Sequence, residues 1–265
     1  LKLFQEDSKQ TIPIFAKKIA IMFSLFKSKP KLHELIPDTY VDIHSHILPG
    51  IDDGAKTIND SEYLMNQMLD FGFKKAIATP HTMNTVWDNS KDSIQVTKVK
   101  VEKELPAESN RLKLNCASEY FMDDHFLKRF QNEELLTLKE NYVLVEMSYL
   151  NAPIQLYDIL FELQLKGYQP VLAHPERYTF FHNNSKEYEK LKKVGCLFQM
   201  NLLSSVGYYG KEVCNAAEKL LSKDMMDFVG SDIHHKNHIL SFKDKTIIKS
   251  LDKLEIAIQN NNFFL

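Results

Sequence analysis

The chain has 265 residues, 44% of them hydrophobic and 26% charged, enough to bury one substantial core. A formal net charge of -2 and the absence of a long basic stripe argue against a nucleic-acid binder. Its three cysteines, Cys116, Cys196 and Cys214, form no CxxC pair and leave one over in any disulfide scheme, so a reduced, cytoplasmic protein is expected.

The apolar run from Ile19 to Phe26 is flanked by Lys17, Lys18 and Lys27. It is far shorter than the roughly 20 residues of a membrane span, so no transmembrane segment is expected. No small-x-small cleavage site follows it, which disfavours a secretory signal. Residues 1–36 are expected to be an N-terminal extension, disordered or helical in part, with a membrane-surface helix as the alternative. Residues 37–265 are expected to form the folded domain.

From Tyr40 onward, short apolar runs alternate with amphipathic stretches. Strands are predicted over Tyr40–His44, Lys75–Thr79, Leu112–Ala117, Tyr142–Met147, Gln169–Ala173, Cys196–Asn201 and Met226–Gly230. Helices are predicted over Asn59–Phe71, Lys91–Leu105, Asp124–Gln131, Pro153–Lys166, Lys186–Val194, Lys211–Ser222 and Asp244–Asn260. Gly72, Gly167 and Gly195 each follow a predicted helix, where C-terminal caps favour glycine. Alternating strands and helices predict a parallel α/β sheet. Seven units predict a closed or nearly closed (β/α)7 barrel of the TIM type.

The polar residues fall at the ends of these strands. His44 and His46 end the first, two apart and so on one face of an extended chain. His81 follows the second strand, Glu119 the third, Glu146 ends the fourth, His174 follows the fifth, and Asp232 and His234 follow the seventh. A single strand-end histidine is more often structural than a ligand. Here six strand ends aim such groups at the C-terminal mouth, where β/α barrels place their active sites. With Asp53 in the loop after the first strand, the donor set is imidazole and carboxylate without thiolate. That chemistry suits catalytic manganese, iron or zinc rather than structural zinc. So many donors exceed the needs of one ion. Two or three ions bridged by a carboxylate fit, and such clusters suit phosphoester hydrolysis.

Arg177, one of three arginines in the chain, lies three residues after His174, where its planar fork can grip two phosphate oxygens. A cysteine phosphatase is excluded, because six positions after the cysteines stand Met122, Leu202 and Leu220 rather than arginine. No GxxxxGK phosphate loop is present.

The runs Val41-Asp42-Ile43-His44-Ser45-His46, Asp52-Asp53-Gly54, Thr79-Pro80-His81, Ser118-Glu119-Tyr120, Ala173-His174-Pro175-Glu176-Arg177-Tyr178 and Gly230-Ser231-Asp232-Ile233-His234 resemble, in order, the polymerase and histidinol phosphatase (PHP) superfamily. Within it they are most similar to the metal-dependent tyrosine-protein phosphatases of bacterial capsule and exopolysaccharide loci. The resemblance implies a distorted seven-stranded barrel with a trinuclear, manganese-activated site at the C-terminal strand ends. It implies that His44, His46, Glu119 and Asp232 hold one ion. Glu119, Glu146 and His174 would hold the second, and Asp53, His81 and His234 the third. Arg177 would bind phosphate, making Arg177, Asp53 and His234 the catalytic candidates. The implied substrate is phosphotyrosine on a cognate tyrosine kinase of polysaccharide synthesis. A second arginine expected after the last motif is missing, and Lys236 and His238 are the cations that stand in its region. A small-molecule phosphatase of the histidinol-phosphate type and a nuclease module of the same superfamily are the alternative readings.

Overall fold

The structure, a computed structural model, describes residues 28–265. The predicted extension over 1–36 and its apolar run therefore lie outside the described residues, except for positions 28–36.

Among the described residues the strands are β1 (Tyr40–Asp42), β2 (Phe73–Ala78), β3 (His81–Thr82), β4 (Leu114–Cys116), β5 (Glu119–Phe121), β6 (Tyr142–Glu146), β7 (Gln169–Ala173), β8 (Leu197–Asn201) and β9 (Phe228–Gly230). All named pairings are parallel. One sheet runs β1-β2-β4 and the other β3-β5-β6-β7-β8-β9. The parallel α/β class is as predicted. The seven-strand count is not, and among the described residues no closed sheet forms.

The reason lies at two short interruptions. β2 and β3 are separated by Thr79-Pro80, and β4 and β5 by Ala117-Ser118. Pro80 has no N–H to contribute to a ladder. Around it the backbone makes single bonds: Thr79 N donates to Ser45 O at 2.7 Å, Ala117 N to Ala78 O at 2.8 Å, and Glu119 N to Pro80 O at 3.1 Å. The residues after β1 and β9 meet in the same manner. Ser45 and Ile233 form an isolated parallel bridge, and Asp232 N donates to His44 O at 2.7 Å.

The helices are α1 (Ile58–Asp70), α2 (Lys91–Glu104), α3 (Pro106–Leu112), α4 (Asp124–Asn132), α5 (Leu156–Leu165), α6 (Ser185–Lys193), α7 (Lys211–Ser222), α8 (Lys236–Ser241) and α9 (Leu251–Asn260). α1 starts at a capping box in which Thr57 and Asp60 satisfy each other's backbone N–H. It buries Leu64, Met65 and Met68, the spacing of one helical face. The lysine-rich α2 buries only Ile94 and Val101, so it lies on the surface as its sequence predicts.

Three helices depart from the prediction, the short α8 among them, which was not predicted. α3 was missed: Pro106 starts it at the position where a missing N–H costs nothing, and it takes Leu112 from the predicted strand. The predicted helix over Asp244–Asn260 is helical only from Leu251. Its first half is held by long-range backbone bonds instead: Leu32 N donates to Asp244 O at 3.0 Å, Thr246 N to Pro30 O at 2.9 Å and Ile247 N to Ser205 O at 2.8 Å.

Both faces of the strands are buried. Val143, Val145 and Leu172 pack toward the helices in the main core. Val41, Ile43, Ile77, Ala117, Leu144, Val171 and Ala173 form a second apolar cluster with Phe228 and Phe264. Alternate residues of one strand thus serve opposite faces. Following this second face along the chain leads to the polar site. Ile77 is followed by Thr79 and His81, Ala117 by Glu119, and Leu144 by Glu146. The three cysteines are free and buried, and burial pushes the Cys196 thiol up to about 12. No helix among the described residues is long and apolar enough to cross a membrane.

Candidate metal centre

Nine side chains from across the chain meet at the C-terminal ends of the strands, and seven of them, His44, His46, His81, Glu119, Glu146, His174 and Asp232, are buried. Glu119 lies at the centre. Its Oε2 is 3.1 Å from His44 Nε2, 3.4 Å from His46 Nε2 and 3.1 Å from His81 Nδ1. Its Oε1 is 3.0 Å from His174 Nε2. Asp232 Oδ1 sits 3.3 Å from His44 Nε2 and 3.4 Å from His46 Nε2. Glu146 Oε1 is 2.7 Å from His81 Nδ1. At the outer edge, Asp53 Oδ1 lies 3.5 Å from His81 Nε2 and 3.4 Å from His234 Nε2.

The histidines at the centre are oriented from behind. His46 Nδ1 donates to Asp52 Oδ2 at 2.7 Å; a carboxylate can only accept, so Nδ1 keeps its proton and Nε2 is the atom turned toward Glu119 and Asp232. Gln199 does the same for His44. Its Nε2 donates to Met200 O, which leaves Oε1 to accept from His44 Nδ1 at 2.7 Å. The two Nε2 atoms then face one another at 3.2 Å. Such partners behind a histidine are how metal sites fix tautomer and ring angle. Two glycines permit this closeness. A Cβ at Gly230 would stand 2.5 Å from His44 Cβ and 2.6 Å from Gln199 Nε2, and one at Gly54 would stand 2.0 Å from His46 O. His174 and Asp232 themselves hold left-handed backbone, with φ of 35° and 50°.

The donor set fits divalent cations. Four overlapping groups have ligand atoms within 4.8 Å of one another: His46, Asp53, His81 and His234; His44, His46 and Asp232; His44, Glu119 and His174; and His81, Glu119 and Glu146. Each of the nine predicted donors belongs to at least one group, although these groups cut across the three sets implied by resemblance. Glu119 Oε2 and His174 Nδ1 are buried without a hydrogen-bond partner. Burying several carboxylates is costly unless cations compensate them. Burial works to raise the pKa of Glu119, but the charges of His44 and His81 outweigh it and hold the group well below the ordinary range. Burial and then the charge of Glu119 raise Glu146. For His174, burial and then Arg177 push the pKa down to about 4, keeping the imidazole neutral as a ligand must be.

A cavity of about 560 Å³ opens on this cluster, with Asp53, Trp87, Tyr149, Arg177 and Tyr209 in its walls. Arg177 is the one arginine or lysine among its described lining residues. Its guanidinium lies 4.7 Å from the Tyr149 ring centroid and 4.1 Å from that of Tyr209, and Nη1 donates to Asp232 Oδ2 at 2.8 Å. Stacking of this kind holds a planar cation while leaving its other N–H groups available. Tyr149, Tyr209 and Gln199 carry no spacing signal, and Asp52 stands in the Asp52-Asp53-Gly54 run without being named a candidate.

The two cations predicted to replace a second arginine behave differently. Lys236 is exposed at the start of α8 and lies outside the cavity's lining residues. His238 lines the cavity but is buried and bonded to Asp232 O at 3.0 Å. Burial pushes its pKa down to about 3, so it stands there as a neutral ring.

Residues 40–249 match the family described as capsular polysaccharide synthesis, CpsB/CapC. The chain belongs to this family. Among CpsB/CapC relatives it is 27% identical over 231 residues to the putative tyrosine-protein phosphatase CapC of Staphylococcus aureus, covering 85% of this chain and 91% of that protein. It is 31% identical over 196 residues to the tyrosine-protein phosphatase YwqE of Bacillus subtilis, covering 74% and 77%. It also superposes with a TM-score of 0.71 and 30% identity on a chain from the crystal structures of YwqE and of CpsB from Streptococcus pneumoniae, described as unique metal-dependent tyrosine phosphatases. That match covers 81% of this chain and 86% of the other.

Proposed function

We propose that this CpsB/CapC protein is a metal-dependent protein-tyrosine phosphatase, acting in the cytoplasm on a tyrosine kinase of capsule or exopolysaccharide synthesis. The observation that carries the reading is the placement of Arg177 at the edge of a buried imidazole-carboxylate cluster, in a family whose curated relatives bear the tyrosine-phosphatase name.

Two or three divalent ions, manganese first and iron or zinc as alternatives, are the cofactors of this reading. His44, His46, Glu119 and Asp232 would hold one; Glu119, Glu146 and His174 would hold the second; Asp53, His81 and His234 would hold the third. Such ions neutralise phosphoryl charge and lower the pKa of water at neutral pH.

The chain's own groups do the rest. Arg177 turns its free N–H groups to the phosphate oxygens, oriented by the rings of Tyr149 and Tyr209. Its charge-assisted bonds strengthen as negative charge gathers in the transition state. Asp232 Oδ2 and Asn201 Nδ2, 2.7 Å apart, fix the carboxylate that faces Arg177. In the overall reaction, water oxygen bonds to phosphorus, the phosphorus–phenol oxygen bond breaks, and the phenol leaves with a proton. His238 supports the backbone of Asp232 rather than the substrate. Lys236 has no role in this reading.

We also infer that the two sheets act as one interrupted barrel. β2 with β3, and β4 with β5, each count as one rung, giving seven with β1 and β9 adjacent at the Ser45–Ile233 bridge. The domain then starts before residue 37, because Leu32 is buried and its neighbours are bonded to residues 242–246.

The test is steady-state hydrolysis of a phosphotyrosine peptide against histidinol phosphate, with manganese, iron and zinc each supplied to chelator-treated protein. Preference for the peptide is expected. Turnover of histidinol phosphate alone would overturn the reading.

A further inference from the structure

The loop between β6 and α5, residues 148–155, carries an unusual amount of exposed apolar surface. Tyr149 is 43% exposed, Leu150 86% and Ile154 104%. Side chains of this kind gain nothing from water, and an exposed apolar patch beside a cavity is a frequent mark of a binding surface. The loop is also a partition. On one side Tyr149 and Leu150 wall the cavity over the metal cluster. On the other, Pro153 and Ile154 wall a groove of about 480 Å³ with Asp123 and Asp124. The two concavities share Phe121 and Ser148, so the groove adjoins the cavity.

The groove is acidic as well as apolar. Asp123 is occupied in capping α4, where it accepts from Phe126 N at 2.8 Å. Asp124 is exposed and, among the described residues, has no cationic partner within salt-bridge distance. The cavity's volume lies within the range that holds a single small ligand. A phosphotyrosine side chain can enter it, and the polypeptide on either side of that residue must leave across the lip.

We propose that residues 148–155 and the adjoining groove are the docking surface for the substrate polypeptide beside its phosphotyrosine. An apolar side chain lies against Ile154 and a basic one against Asp124. The proposal rests on the phosphatase reading above and adds the sequence class of the substrate: phosphotyrosine flanked by aliphatic and lysine or arginine residues, not by acidic ones.

The experiment compares free O-phosphotyrosine with two phosphotyrosine peptides of equal length, one flanked by leucine and lysine and one by aspartate and glutamate. The manganese-loaded wild-type protein is expected to show a lower KM for the leucine-lysine peptide than for the other two substrates. Ile154→Asp should raise that KM about tenfold, equal to about 1.4 kcal/mol, with kcat and the free phosphotyrosine kinetics unchanged. Asp124→Asn should narrow the gap between the peptides without affecting free phosphotyrosine. Ile154 and Asp124 are exposed, so neither change threatens the fold. Equal effects of Ile154→Asp on free phosphotyrosine and peptide, or no effect on either, would overturn the docking surface while leaving the phosphatase standing. Wild-type protein that turns over another phosphomonoester but none of these three substrates would remove both.

Discussion

Arg177 and Asp232 are joined by a 2.8 Å bond from Nη1 to Oδ2, while the other oxygen of the same carboxylate faces the Nε2 atoms of His44 and His46. One side chain thereby ties the proposed phosphate-binding cation to the proposed metal cluster. The arginine meets the cluster through this one oxygen, which leaves Oδ1 to face the histidines.

That asymmetry predicts the behaviour of Arg177→Ala. Turnover of phosphotyrosine should fall by about 10²-fold or more, the scale expected when a transition-state hydrogen-bond donor is removed. Metal content should stay at the wild-type level. Arg177→Lys should recover little, because an ammonium offers no planar fork. Kinetics paired with elemental analysis decides the matter, and a variant that loses metal would make the arginine structural.

Glu119→Gln tests the centre of the cluster. Glu119 contacts His44, His46, His81 and His174 through its two oxygens. Activity should fall by more than about 100-fold, the loss caused even by removing groups that merely orient ligands. At least one ion per chain should be lost on counting. Full activity with full metal would remove the bridging role.

The partners behind the histidines give a graded prediction. Asp52→Asn and Gln199→Leu leave every proposed ligand in place, yet each loosens one imidazole. Metal affinity should fall about 10–100-fold in either variant, measured by calorimetric titration of the chelator-treated protein.

Gly230→Ala should be felt in stability before chemistry. Its Cβ would press on His44 and Gln199, and crowding of this sort costs about 1–3 kcal/mol. A chain of this size loses about 2–4 °C in Tm per kcal/mol, readable by thermal denaturation.

Chelation should inactivate the wild-type protein and lower its Tm, and added manganese should restore both. The Tm should rise with manganese concentration, as for any ligand that binds only the folded state. A Tm indifferent to manganese would argue against a resident ion.

Much of the site could be read from the chain because period-two rows carry apolar residues into polar ones, as Leu144 leads to Glu146 and Ala117 to Glu119. That rule carries His81, Glu119 and Glu146 to one end of the strands, but Asp53 lies in a loop, His44 and His46 alternate with Val41 and Ile43, and His174 breaks the period in left-handed backbone. It says nothing of Tyr149 and Tyr209, which reach Arg177 from separate loops, or of Gln199, which a sequence presents as an ordinary strand residue. The strand count missed β3 and β5, which resume just beyond the predicted strand ends at Thr79 and Ala117. The last predicted helix failed because the backbone near Thr246 finds partners at Pro30, more than two hundred positions away. Local pattern cannot register a bond of that reach.

The left-handed conformations of His174 and Asp232 carry a last consequence. Residues other than glycine remain in that region only where their surroundings over-determine them. The receptacle is thus moulded by the framework, and replacing one divalent cation by another is expected to alter reactivity without refolding the chain.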